Sequence, residues 1–212
     1  MSEPRWLKTL DTPALVVDVP KMKENIREYH EWVAKNGAGA VVRPHTKTHK
    51  IPAIAKMQIE MGAQGIIVAK ISEAEVMADA GIDDIFICYP IIGYEKLVRL
   101  SKLNRKCKNL LVEVESIEGA RQMSEFARMT GETFNVVCEF DAVGYHRTGF
   151  PAETAADQIT EVSKMPGLNV MGIFAYAYTN MPGGSYGTPE EAGKCEGQLT
   201  VALANELRSR GV

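Results

Sequence analysis

The sequence predicts an α/β fold, a (β/α)8 TIM-type barrel that is incomplete in this chain and comprises about six βα units. Short runs rich in Val, Ile and Phe alternate along the chain with longer amphipathic segments. Successive runs mostly start roughly 20 to 25 residues apart, a spacing that suits barrel units. Because a closed barrel of this type has eight strands, we expect the 212 residues to hold only part of it.

The predicted strands are short and apolar, as strands buried on both faces of a parallel sheet are. They cover 14–18, 40–43, 65–69, 84–89, 110–113, 135–141 and 170–176. The predicted helices cover 20–36, 72–80, 94–105, 117–130, 152–164 and 189–210. Start and stop residues support several of them. Pro20 opens the first helix, Gly37 ends it, and Ser72 and Glu75 have the spacing of a capping box.

A doubly wound open sheet is the alternative fold, because it would not need two more strands. No GxGxxG motif follows any predicted strand, which argues against the dinucleotide-binding version of that fold.

Composition excludes several classes of function. A net charge of -3 provides no basic surface for nucleic acid. No apolar run approaches the roughly 20 residues of a membrane span, and the first residues form no apolar signal segment. The four cysteines show neither CxxC pairs nor zinc-ligand spacing, so we expect reduced cysteines, no metal site and a cytoplasmic location.

The densest polar cluster directly follows the apolar run 40–42. Residues 43–50 contain one arginine, two histidines and two lysines, in the order Arg43, His45, Lys47, His49 and Lys50. The carboxyl ends of barrel strands face the active site, so this position favours a catalytic cluster over a solvated basic loop.

Two further segments follow later strands. The segment 139–150 carries Glu139, His146 and Arg147 after the fifth barrel strand, and the segment 172–178 carries Tyr176 and Tyr178 after the sixth. A histidine at a strand end is a candidate general acid or base, which makes His146 a candidate catalytic residue.

These segments resemble the D-threonine aldolase and D-serine dehydratase family, which is related to the N-terminal barrel of the alanine racemases. The similarity lies in 43–50, in the opening 11–18, in 70–76 with 80–85, and in the acidic strand followed by Arg-x-Gly. It extends over essentially the whole chain. It implies a barrel of the alanine racemase N-terminal kind and the cofactor pyridoxal 5'-phosphate (PLP).

The resemblance also implies roles for individual residues. Lys47 holds PLP covalently and becomes a proton-transfer base when substrate displaces it. Arg147 donates to the phenolic oxygen of PLP, and Tyr176 matches an aromatic position of the family. His45 and Arg43 are expected near the ring or the phosphate. Ala177 stands where many members carry histidine, which is a departure from the pattern.

The whole of 1–212 is predicted to be a PLP-binding barrel domain. The strand at 11–18 is expected to pair with a C-terminal β-domain that this chain lacks, and the resemblance implies a divalent metal only together with that domain. Exposed strand edges of a partial barrel favour association, so we expect a homo-oligomer, most simply a dimer.

The predicted function is a PLP-dependent lyase acting on a small D-β-hydroxy-amino acid. An aldolase would cleave Cα–Cβ to give glycine and an aldehyde, and a dehydratase would remove the β-hydroxyl group. A PLP-dependent racemase, a non-catalytic PLP-binding or homeostasis protein, and a barrel enzyme without PLP stay as alternatives.

Overall fold

The computed structural model describes residues 5–142, 148–176 and 188–212, and within them strands and helices alternate along the chain. The helices are α1 Val19–Asn36, α2 Pro52–Glu60, α3 Ile71–Asp79, α4 Tyr94–Lys106, α5 Ile117–Thr130, α6 Ala155–Ser163 and α7 Pro189–Ser209. The strands are β1 Ile66–Val68, β2 Asp84–Ile87, β3 Asn109–Val114, β4 Phe134–Asp141, β5 Phe150–Pro151 and β6 Leu168–Phe174.

All strand pairs are parallel, in the order β1-β2-β3-β4, with β6 on the far side of β4 and the two-residue β5 at the end of β4. The segment 40–45 lies beside β1, where His45 and Ile67 form a single parallel bridge. Within the described ranges no strand pairs with the outer edge of this segment or with the outer edge of β6. The predicted partial barrel is therefore confirmed.

The hydrophobic core lies between the sheet and its helices. Alternate strand residues are fully buried there, among them Ile66, Ile85, Val112 and Val136. Because successive strand side chains point to opposite faces, the intervening residues face the concave side of the sheet. On that side the rings of Phe86 and Phe174 meet edge to face with centroids 5.9 Å apart.

Four predictions about elements were wrong. The segment 40–43 is not a strand, and next to it only the single bridge between His45 and Ile67 forms. The segment 14–18 forms no strand; it is exposed and has no strand partner among the described residues. The nine-residue helix α2 was not predicted. Helix α3 begins at Ile71, so Ser72 is not its N-cap, and the carboxylate of Glu73 instead accepts from the Ala69 N–H at 2.8 Å.

Helix α1 buries none of its residues. Its apolar residues Met22, Ile26 and Val33 lie on one face, as helical spacing dictates. That face lines a groove of about 890 Å³ whose opposite wall is the segment 40–45. The groove is therefore an apolar surface at the open edge of the sheet.

Gly65, just before β1, allows the chain to pack closely against Asp84 at the start of β2. A Cβ atom at Gly65 would lie 2.6 Å from the Asp84 carbonyl oxygen, whereas at Gly172 in β6 it would meet no atom within 4 Å. We predict that Gly65→Ala lowers the free energy of unfolding by roughly 1–3 kcal/mol because the strand backbones must separate. Urea unfolding checks this, with Gly172→Ala as the control. Equal midpoints for the two variants would contradict the close packing.

Candidate active site

The turn that carries Lys47 is fixed to β1 by hydrogen bonds. The Thr46 hydroxyl donates to the Ile67 carbonyl at 3.0 Å, and Thr46 is 1% exposed. A single 3-10 turn follows at Thr46–Thr48, and the Lys50 N–H closes it on the Thr46 carbonyl at 2.8 Å. The backbone of Lys47 is thus held at the carboxyl edge of the sheet while its side chain is exposed.

His45 orients this turn. Its Nδ1 accepts the Lys47 N–H at 3.2 Å. Burial and the nearby Lys47 charge lower the pKa of His45, which keeps the imidazole neutral near pH 7. The neutral ring is the form that can accept at Nδ1. His45 therefore lies beside Lys47 and contacts its backbone.

His49 has a structural position. Its Nδ1 accepts the Ile51 N–H at 3.0 Å, just before α2 begins at Pro52. Burial lowers the pKa of His49. Lys50 has φ +54 and lies in the left-handed region, so α2 begins only after it, at Pro52.

The neighbouring cations Lys50 and Arg43 are paired with carboxylates, whereas Lys47 has no such partner in the part of the chain that the structure describes. Lys50 Nζ lies 2.9 Å from Glu73 Oε1. Arg43 pairs with Asp84, the first residue of β2, and Asn109 donates to the same carboxylate at 3.1 Å. Among the described residues no carboxylate pairs with the Lys47 ammonium.

The structure does not bring Arg43 to the Lys47 edge. Its partner Asp84 begins β2, so the guanidinium lies at the amino end of the sheet, whereas Lys47 lies at the carboxyl end. The ion pair is largely buried, with 15% and 22% of the two side chains exposed. Arg43 joins the first strand position to β2, which is a structural role.

The end of β4 is tied to the segment that follows it. The Thr148 hydroxyl donates to the Glu139 carboxylate, which is 3% exposed. Gly149 has φ +107, and a Cβ atom there would lie 2.9 Å from the Asp141 N atom. The glycine of the Arg-x-Gly motif thus lets this segment cross the end of β4 closely.

Of the remaining predicted site residues, two lie outside the residues that the structure describes and one lies within them. His146 and Arg147 fall within 143–147, outside the described residues. Tyr176 follows the end of β6 and is 39% exposed, on the same edge of the sheet as the turn of Lys47.

Sequence reasoning missed a buried acid pair on the concave face. Glu113 on β3 is 1% exposed and faces the Glu139 carboxyl group and the Cys88 thiol. Burial, then the charge of Glu139, raises the pKa of Glu113 to about 9. Glu113 therefore keeps a proton at neutral pH. The signal in the sequence was a lone acid between Val112 and Val114 in an otherwise apolar strand.

The described residues contain no group of three or more His, Cys, Asp or Glu side chains that could hold a metal ion. They also contain no helix with the length and apolar character needed to cross a membrane. What the site offers is an exposed primary amine on a rigid turn at the carboxyl edge of a parallel sheet, the group that can condense with an aldehyde.

Comparison with known proteins gives consistent matches. The sequence model of the family described as alanine racemase, N-terminal domain, matches residues 17–208. The D-threonine aldolase of Arthrobacter sp is 32% identical over 210 residues, covering 97% of this chain and 54% of that protein. The D-threo-3-hydroxyaspartate dehydratase of Delftia sp. (strain HT23) is 36% identical over 147 residues, covering 69% and 38%.

Solved structures agree. The crystal structure of D-threonine aldolase from Filomicrobium marinum superposes with a TM-score of 0.83 at 30% identity, covering 97% of this chain and 55% of that one. The chain thus spans about half the length of these relatives. The matches confirm the resemblance and the fold expected from the sequence.

The protonated state of Glu113 makes stability depend on pH. In the unfolded chain Glu113 ionises above its ordinary pKa of 4.5, while in the folded protein it keeps its proton to about 9. Its contribution is fully present below pH 4.5 and is lost as pH rises toward 9. We predict that Glu113→Gln, which is neutral at every pH, flattens this decline by up to about 1.4 kcal/mol per pH unit.

Urea unfolding of wild type and variant across that pH range measures the effect. Glu125→Gln, which removes an exposed carboxylate on α5, is the control and should leave the wild-type slope unchanged. Parallel pH profiles for wild type and Glu113→Gln would rule out a buried proton on Glu113.

Proposed function

The chain belongs to the alanine racemase N-terminal domain family, and on that premise we propose that it is the PLP-binding part of a lyase acting on D-β-hydroxy-amino acids. The observation that carries the proposal is the placement of Lys47, an exposed amine without a carboxylate partner among the described residues, on a turn fixed to β1. Relatives named D-threonine aldolase and D-threo-3-hydroxyaspartate dehydratase support the substrate class.

The residues present fit the aldehyde end of PLP. A covalent bond to the cofactor requires a lysine that is held in place and accessible, and Lys47 meets both conditions. Bound PLP would supply an electron sink for bond cleavage beside the substrate Cα. His45 would hold the Lys47 backbone in position through its neutral Nδ1, and the Lys47 amine would accept or return a proton.

Three more residues complete the proposed site. We place Arg147 near the phenolic oxygen of the cofactor, because a fixed cation favours its ionised form. His146 is proposed as an acid or base, and Tyr176 as an aromatic contact. Thr148 supports the first two placements, since its bond to Glu139 ties the residue after Arg147 to β4. Arg43 is not part of the proposed site, because it pairs with Asp84.

The proposed reaction is either Cα–Cβ cleavage, giving glycine and an aldehyde, or loss of the β-hydroxyl group, giving an oxo acid and ammonia. A cytoplasmic location is proposed as well, supported by the absence of disulfide bonds among the described residues.

We propose that 1–212 is a barrel domain, that 11–18 pairs with a C-terminal β-domain, and that the protein is a homodimer. The support is the exposed apolar surface of the N-terminal segment, where Leu15 is 103% exposed, and the apolar groove beside α1.

Covalent labelling tests the role of Lys47. With PLP present and borohydride added, we predict that the phosphopyridoxyl group is found on Lys47, because that amine is exposed and no described carboxylate pairs with it. Peptide mass spectrometry locates it. Lys47→Met should abolish the label, and Lys56→Met, which removes an exposed lysine of α2, should not. A label that is unchanged in Lys47→Met would refute the assignment.

Product analysis then separates the reactions. Incubation of the full-length protein with D-threonine and with D-3-hydroxyaspartate, followed by assays for glycine, aldehyde and ammonia, distinguishes an aldolase from a dehydratase. A labelled protein that releases none of these products would be a PLP-binding protein without lyase activity.

Association of the 212-residue chain tests the exposed surface. We predict a dimer in sedimentation velocity, because association removes apolar residues such as Leu15 from water. Leu15→Glu should shift the equilibrium toward monomer, and Gln198→Glu, an equal charge change on exposed α7, should not. A wild-type chain that is monomeric at every concentration would contradict the proposal.

A further inference from the structure

We infer that Glu73 is a positioning residue for Lys47, acting through Lys50; the inference rests on the proposed role of Lys47 as the cofactor lysine. Glu73 lies on α3, on the neighbouring βα unit, and among the described residues its carboxylate bonds to Ala69 and Lys50 rather than to Lys47. Its effect on Lys47 passes through the turn 46–50.

Glu73 is held at both carboxylate oxygens. Oε2 accepts the Ala69 N–H at 2.8 Å, at the carboxyl end of β1, and Oε1 lies 2.9 Å from Lys50 Nζ. The side chain is 9% exposed, whereas that of Lys50 is 56% exposed. A nearly buried carboxylate therefore fixes the far end of an otherwise exposed turn.

Lys50, at the end of the turn, has a backbone conformation that other contacts must stabilise. Its φ of +54 is in the left-handed region, which a non-glycine residue occupies at a cost in backbone energy. Its N–H donates to the Thr46 carbonyl at 2.8 Å. Lys47 thus lies between two anchors, with Thr46 bound to Ile67 on one side and Lys50 bound to Glu73 on the other.

Glu73 holds Lys50 through its negative charge rather than through the shape of its side chain. Burial alone would raise the pKa of Glu73, but the hydrogen bonds from Lys50 and Ala69 outweigh burial and lower it. Glu73→Gln keeps an oxygen acceptor for the Ala69 N–H and removes the anion that Lys50 needs. The substitution therefore loosens the turn while it retains an acceptor for the Ala69 N–H.

The same helix supplies a matched control. Glu75, two residues further on, forms a two-point ion pair with Arg99 of α4, with distances of 2.8 and 2.6 Å. Glu75→Gln is the same substitution on the same helix and breaks an ion pair that does not involve the turn 46–50. Any general effect of losing a carboxylate on α3 appears in both variants.

Two readouts test the inference, one without PLP and one with it. Amide hydrogen exchange of peptides covering 45–51 reports the order of the turn. The PLP concentration for half-labelling of Lys47 after borohydride reduction reports the placement of its amine. We expect Glu73→Gln to speed exchange in 45–51 and to raise the half-labelling concentration about tenfold, the equivalent of one charged hydrogen bond.

Substitutions of Lys50 test whether Glu73 acts on Lys47 through Lys50. Lys50→Arg, which keeps the cation, should retain wild-type values, and Lys50→Met should resemble Glu73→Gln. The double variant Glu73→Gln/Lys50→Met should be no worse than either single variant, because both remove one interaction.

The outcomes separate this inference from the proposed function. If Lys47 is labelled and Glu73→Gln matches Glu75→Gln in both readouts, the inference is overturned and the function stands. If wild type is not labelled at Lys47, the proposed function fails, and exchange alone decides the inference. Exchange in 45–51 that is faster in Glu73→Gln but not in Glu75→Gln would then support the positioning of the turn by Glu73. Equal exchange rates in the two variants would overturn the inference.

Discussion

The position of Lys47 depends on the hydrogen bonds that join the segment 40–45 to β1. His45 and Ile67 form a parallel β-bridge, and the buried Thr46 hydroxyl donates to the Ile67 carbonyl. These contacts fix where the chain leaves the sheet, and the turn begins at that point. A lysine on a flexible loop would lose conformational entropy when the cofactor binds, which weakens binding. A lysine on a fixed turn has already lost that entropy on folding. The exposed amine is therefore presented from the edge of the parallel sheet.

The polar side chains of the sheet form two groups, one at the amino ends of the strands and one toward their carboxyl ends. At the amino end, Arg43, Asp84 and Asn109 form a closed set of partners, which is consistent with a stabilising role. Toward the carboxyl end, Glu113 and Glu139 lie buried and close together, and one of them holds a proton. Barrels of this type place stability at the first end and chemistry at the second. The distribution of charge in this chain follows the same division.

Local signals made some of the structure predictable. The bounds of α5 agree with the sequence prediction because Ser116 caps its first turn, with the Gly119 N–H at 3.1 Å, and Gly131 ends it with φ +69. Helix α2 was missed although Pro52, in its first turn, is a helix start signal. The lysine cluster could be placed at a strand end, but the direction of the Arg43 side chain could not, since Asp84 is 41 residues away in sequence and determines it. Glu113 was missed for a similar reason, because its shifted pKa depends on burial and on Glu139 from another strand.

The central claim is that the turn fixed to β1 presents Lys47 to the cofactor, and a crystal structure of the protein grown with PLP tests it most directly. The account predicts continuous density from Lys47 Nζ to the cofactor, with His45 Nδ1 still accepting the Lys47 N–H and Thr46 still bound to Ile67. Density joining the cofactor to another lysine, or an unmodified Lys47 beside an occupied site, would contradict it.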